Sequence, residues 1–174
     1  NIGDVDTHLA VDYRLLKDEH GFYFEASVQK YLDKAVAEFE AETGKVLKDS
    51  PVPALAGSTL SPNKEEDRCE QPLFRKYVGK TLYAQTRDVF DCANAISELT
   101  SHVSNPGKEH NKAPEKVLSY LKFNYVPSKI RTPASLRVVG FYDSDWATSN
   151  YCKSISSNLV TLGGNCVLSW TCKK

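Results

Sequence analysis

An α+β fold is predicted for this chain from three observations. Apolar residues alternate with polar ones near the start, at the period of a strand hairpin. Three segments between residues 28 and 103 carry apolar residues at helical spacing instead. From Leu136 onward, β-branched and aromatic runs are broken by Gly163-Gly164, the pattern of a three-stranded antiparallel sheet.

Each element rests on its own residues. Leu9, Val11, Tyr13 and Leu15 alternate with His8, Asp12 and Arg14, which predicts a half-buried strand. Lys17-Asp18-Glu19-His20-Gly21 supplies a turn, and Phe22, Phe24 and Ala26 continue the apolar face on a return strand. Ser27 suits the cap of a helix whose apolar face is Val28, Tyr31, Leu32, Ala35, Val36 and Phe39, stopped by Gly44. The charges at Asp33, Lys34, Glu38, Glu40 and Glu42 form its wet face, and His8 and His20 read as surface residues. From Lys45 to Gln71, Pro51, Pro53, Gly57 and Pro62 sit among Ser, Lys and Glu, which reads as an exposed connector between two regions able to shift slightly. Leu73, Phe74, Tyr77, Val78 and Leu82 predict a second helix. A third runs from about Asp91, its cap, to His102, and Asn105-Pro106-Gly107 ends that helical hairpin. Pro114 would cost about 3 kcal/mol inside a helix. The next helix is therefore predicted to begin near Asn111, with Pro114 in its first turn, where no N–H is needed.

Composition sets outer limits. The chain has 174 residues, with 22 basic residues against 22 acidic ones, so no global positive field points to nucleic acid. No apolar run is long enough to span a bilayer. The five cysteines leave one unpaired under any disulfide scheme and lack the close pairs of a zinc site, which predicts reduced thiols and cytoplasmic or nuclear residence. The absence of methionine suggests a processed product or a fragment.

The most specific signal is the stretch Val138-Val139-Gly140-Phe141-Tyr142-Asp143-Ser144-Asp145-Trp146-Ala147, a strand that delivers an Asp-x-Asp pair at its end. Such carboxylates suit Mg²⁺, which takes hard oxygen donors; the plainer reading is a turn after a strand. With Ser154, Ser156, Leu162-Gly163-Gly164, Ser169-Trp170 and Lys173-Lys174, this stretch resembles the opening of the ribonuclease H domain in copia-type LTR retrotransposons. Upstream, Phe74-Arg75, Val78-Gly79, Leu82-Tyr83, Arg87, Asp91, Ala95, Pro106, His110, Ala113, Val117-Leu118 and Tyr120-Leu121-Lys122 resemble the segment after the polymerase active site of the same polyproteins. Asn111 stands in place of the family's tryptophan, and Ser157 in place of a glycine.

The resemblance implies four parts: a late palm/thumb-like hairpin and helix (1–44), a connector (45–71), a helical connection (72–134) and a partial RNase H-like domain (135–174). It implies Asp143 as a catalytic carboxylate and metal ligand, Asp145 as a second metal-proximal carboxylate, Mg²⁺ as cofactor and RNA–DNA hybrid as partner. The chain has no Tyr-x-Asp-Asp polymerase motif and only the first of the nuclease carboxylates. It is thus expected to be catalytically incomplete, as a reverse transcriptase/RNase H polyprotein fragment held in a larger assembly. The alternative expectation is a non-catalytic interaction or structural subunit derived from a retroelement. Binding of hybrid is the less demanding role. Residues 108–137 carry Lys108, Lys112, Lys116, Lys122, Lys129, Arg131 and Arg137 against Glu109 and Glu115, interleaved with Tyr120, Phe123 and Tyr125. Such a track can follow phosphates and stack bases, although the same residues also suit the wet and buried faces of an ordinary helix.

Overall fold

The computed structural model describes residues 6–54, 60–64, 71–133, 135–145 and 154–173. The chain is mixed α+β, with two antiparallel sheets and a helical layer. The first sheet is ordered β1 (Thr7–His8), β2 (Val11–Asp18), β3 (Gly21–Ser27), β4 (Ser128–Arg131). The helices are α1 (Gln29–Thr43), α2 (Pro72–Gln85), α3 (Ala93–Thr100) and α4 (Lys112–Asn124), the last preceded by a 3₁₀ turn at Lys108–Asn111. The second sheet is ordered β5 (Val138–Asp145), β6 (Ile155–Leu162), β7 (Asn165–Lys173).

The turn between β1 and β2 is two residues long, because His8 pairs with Val11. Both its residues, Leu9 and Ala10, have positive φ, at 50° and 60°. That geometry belongs to Asn-Gly, since a Cβ crowds the carbonyl there. The Tyr83 hydroxyl donates to the Leu9 carbonyl at 2.9 Å and holds the turn from α2. Leu9→Asn with Ala10→Gly is expected to raise stability by about 1 kcal/mol. A chemical denaturation midpoint at or below that of the parent would refute the assignment of strain.

The hairpin β2–β3 pairs from Asp12↔Ser27 to Asp18↔Gly21, so Asp18 and Gly21 belong to strands and the turn shrinks to Glu19-His20. The expected apolar face is only half covered. Tyr13 and Ala26 oppose one another and pack on the core, whereas Leu15, Phe22 and Phe24 on the same face are exposed. The reason is length: the strands run on past the helices that cover their other end. Tyr23, on the opposite face, is buried instead, beneath the cations of Arg131 and Lys129 at 4.8 and 5.1 Å from its ring. Strand β4 went unpredicted. It opposes β3 with Ile130 across from Phe24.

Four helices close one core. Leu32, Ala35, Val36 and Phe39 recur on one face of α1, as the spacing predicts. Gly44 ends that helix in the left-handed conformation (φ 67°), where its N–H bonds the Glu40 carbonyl. The N-cap falls on Val28, one residue after the predicted Ser27, whose hydroxyl still accepts from the Gln29 N–H at 3.2 Å. Val28 and Leu32 meet Phe74, Val78, Ile96, Leu99, Val117 and Leu121. A smaller cluster joins Val36, Phe39, Leu47, Tyr77 and Leu118, with Phe39 and Tyr77 edge to face at 4.9 Å. The third helix is shorter than expected. It is capped at Cys92, because the Asp91 carboxylate accepts from the Tyr120 hydroxyl instead of closing the helix. Pro114 lies in the first turn of α4, as its missing N–H requires.

The connector is not exposed throughout. Leu47 and Ser50 are buried, and Leu60 packs on the core. Further on, His110 and His102 lie fully buried with ring centroids 4.5 Å apart. His110 accepts the Gly107 N–H at Nδ1 (3.0 Å) and places Nε2 2.8 Å from the Ser61 carbonyl. The Glu98 carboxylate accepts the Leu60 N–H at 3.3 Å, and the Asn63 and Asn105 side chains also bond. Residues 60–64 are thereby tied to the helical layer.

The second sheet has the predicted Gly163-Gly164 turn. A Cβ at Gly163 (φ 56°) would meet Pro133 Cβ at 2.0 Å, so that position excludes every other residue. One amide clasps the two sheets: Asn165 Oδ1 accepts the Arg131 N–H (3.1 Å) while its Nδ2 donates to the Arg131 carbonyl (2.8 Å).

Candidate functional site: a lysine-lined groove

After Gly44 the chain turns back along α1 and runs beside α4. The Leu47 N–H donates to Glu40 at 2.7 Å, and the Leu47 side chain is the hydrophobic peg that fixes this course. At the far end, Asn124 donates to Asp49 (3.2 Å) and to the Ser50 carbonyl (3.0 Å). Between those two anchors lies an open groove of about 620 Å³, lined by Lys45, Val46, Lys48, Asp49 and Ser50 on one wall and by Lys112, Glu115, Lys116 and Ser119 on the other. Helical spacing puts Lys112 and Lys116 one turn apart on the same face.

Four lysines face two carboxylates in this groove. One carboxylate is already engaged, since Lys45 pairs with Glu115 at 2.5 Å. Among the described residues, Lys48, Lys112 and Lys116 form no ion pair. The groove therefore holds a surplus of positive charge on flexible stems, suited to carboxylate or phosphate oxygens.

The sequence-predicted basic residues do not form one track. Lys112 and Lys116 meet in the groove, while Lys108 is exposed on the 3₁₀ turn outside its lining. Lys122 is neutralised by Glu40 at 2.7 Å, which holds that carboxyl below its usual range by direct hydrogen bonding. Arg131 is hydrogen-bonded to Asp18 and depresses that carboxyl in the same way. The aromatics are occupied as well. Tyr120 bonds Asp91, and the Tyr125 hydroxyl is taken by Asp88 and the Val28 N–H; only Phe123 is exposed, beside Lys122. Sequence reasoning missed Lys45 and Lys48, whose connector looked unstructured. The signal available was their spacing around Val46-Leu47, with one apolar residue anchored between two cations.

Asp143 stands in β5 opposite Ser157, with its side chain exposed, and Asp145 ends β5 opposite Ile155. Among the described residues, no group of three or more His, Cys, Asp or Glu side chains gathers to hold a metal. One exposed carboxylate, that of Asp143, supplies too few oxygens to hold Mg²⁺. Trp146 and Ala147 lie outside the described residues. Of the five cysteines, Cys92 is a buried free thiol that burial pushes far above its ordinary range, which makes it inert as a nucleophile. No helix among the described residues is long and apolar enough to cross a membrane.

Fold and site together define an α+β domain with an open lysine-lined groove. No family profile and no solved structure matches the chain. Over 99 residues it is 34% identical to the secreted RxLR effector protein 161 of Plasmopara viticola, a match covering 56% of this chain and 69% of that protein. The chain belongs to the family of that effector. This kinship overturns the functional reading drawn from the retrotransposon resemblance. Neither the reverse transcriptase/RNase H fragment nor the retroelement-derived subunit stands, because the relative is an effector. The expected cytoplasmic or nuclear residence falls with it, since the relative is secreted. The cysteine count misled there: an odd number of thiols does not exclude an oxidising compartment.

Proposed function

We propose that this chain is a secreted effector that acts by binding, and that its groove between residues 45–50 and α4 takes an acidic segment of a partner protein. The observation that carries the reading is the convergence of Lys45, Lys48, Lys112 and Lys116 on one open groove with only Asp49 and Glu115 opposing them. Kinship with a secreted effector supports action outside the producing cell. The groove supports recognition of a side-chain-sized anion series better than of a duplex, because Lys122 of α4 and Arg131 of β4 are tied to Glu40 and Asp18.

The test is a titration of a fluorescent glutamate-rich peptide, with an RNA–DNA hybrid of equal charge as competitor. Lys112→Glu with Lys116→Glu should weaken peptide binding at least tenfold, about 1.4 kcal/mol. Binding to the parent should also weaken steeply as salt rises. Unchanged affinity after charge reversal would remove the groove from consideration. Hybrid that displaces the peptide at far lower concentration would make the partner a nucleic acid.

A further inference from the structure

We propose that β5 is a homodimerisation edge, which pairs antiparallel with β5 of a second copy about a two-fold axis at Gly140. Among the described residues, β5 pairs with β6 on one side and with no strand on the other. Its outer edge therefore presents unpaired N–H and C=O groups along an eight-residue strand. That strand is apolar on both faces and uncovered: Val138 is 66%, Phe141 56% and Tyr142 78% exposed. Isolated edges of this kind are normally blunted by charge, proline or a covering element; β5 has no lysine or proline, and its charges, Asp143 and Asp145, are confined to its last three residues.

The choice of a second copy as occupant comes from the order of residues along the strand. Arg137 stands just before β5, and its acidic residues lie at the other end. Antiparallel self-pairing brings those opposite ends together. With Gly140 opposite Gly140, Val139 of one copy faces Phe141 of the other, Val138 faces Tyr142, and Arg137 faces Asp143. Each pair is then a β-branched residue against an aromatic or a cation against an anion, the combinations that favour cross-strand contact. A slip of two residues in one direction sets Val139 against Asp143, and in the other sets Arg137 against Phe141, so the charges and the apolar pairs agree in one register only. Gly140 also fits the axis. Its empty Cβ position is filled by the ring of Tyr142 from the same strand, whose hydroxyl lies 2.8 Å from where a Cβ would stand. The pairing would join two three-stranded sheets into one of six.

Sedimentation of the whole chain across a concentration series tests this, read together with amide hydrogen exchange of β5. The parent should pass from monomer to dimer, and the amides of the outer edge of β5 should gain protection as it does. Arg137→Asp and Asp143→Arg should each weaken dimerisation at least tenfold. An equimolar mixture of the two variants should recover a heterodimer, which also shows that both variants are folded. A parent that stays monomeric throughout overturns the proposal. So does a dimer that survives both reversals with its β5 amides unprotected, because association would then run through another face such as Leu15, Phe24 and Ile130.

Discussion

His110→Ala is expected to destabilise the protein by about 3–5 kcal/mol, the largest single-residue effect outside the aromatic core. Three losses add. The Gly107 N–H loses its acceptor, the Ser61 carbonyl loses its donor, and a fully buried ring is removed from beside His102 and Phe74. Each orphaned buried group costs about 1–3 kcal/mol, and the cavity adds to that. Relief by shift of the backbone is limited, because a Cβ at Gly107 would already meet the Asn63 side chain at 2.9 Å. The loss should be partly local. Limited proteolysis of the variant should open residues 60–64 before the helical layer, since His110 ties Ser61 down. His110→Gln, which keeps one acceptor and one donor, should recover part of the stability. Loss of less than about 1 kcal/mol in the alanine variant would mean that the connector is held by something else.

Tyr125→Phe should cost about 2–3 kcal/mol by a different route. The Tyr125 hydroxyl donates to Asp88 and accepts the Val28 N–H at 2.9 Å, while Asp88 also accepts the Ser128 N–H at 3.3 Å. One hydroxyl thus joins the start of α1, the loop after α2, the end of α4 and the start of β4. Removing it strands the Val28 N–H in the core and leaves a buried carboxylate with one donor fewer. Burial already raises the Asp88 carboxyl above its ordinary value against the pull of its hydrogen bonds, so that loss should raise it further. The tyrosine gives an opposite test in base. Burial first, then the hydrogen bond to Asp88, raises the Tyr125 hydroxyl well above 10.0. A group raised on folding contributes stability in full below its unfolded value and loses it as pH climbs toward the folded one. Tyr77, pushed up to about 12 by burial and Glu42, behaves alike. The parent should therefore lose stability above pH 10, and Tyr125→Phe should show a shallower loss. Equal slopes would show that Tyr125 carries none of it.

The parts of this molecule legible in the sequence are those governed by neighbours in the chain. Helix α1 follows from Leu32, Ala35, Val36 and Phe39, and the Gly163-Gly164 hairpin follows from two glycines between β-branched runs. Pro114 fixed the start of α4 through a missing donor. What stayed hidden depends on distant partners. Ser128–Arg131 is a strand only because β3 offers an edge, and four residues reading Ser-Lys-Ile-Arg carry no period of their own. The exposed Leu15 and Phe24 satisfy the same alternation as the buried Ala26, because periodicity assigns a face and not a cover. The candidate groove is legible by half. Lys112 and Lys116 stood out as cations on a helix, but their meeting with Lys45 and Lys48 depends on Leu47 finding the Phe39 and Tyr77 cluster. For Asp143 and Asp145 a local motif says nothing of how many ligands converge.

The pairing of β3 with β4 also dictates when this chain can fold. Phe24 must find Ile130, and every helix lies in the loop between them. Closing so long a loop is entropically costly until the helices inside it have formed and shortened it. The hairpin β2–β3 can form early from local contacts, yet its edge must wait for the last strand of the first sheet to be synthesised. The second sheet lies wholly beyond that closure. It can fold as a late event, docking on a finished body through β7, which packs on α3 and β4, and through the amide of Asn165.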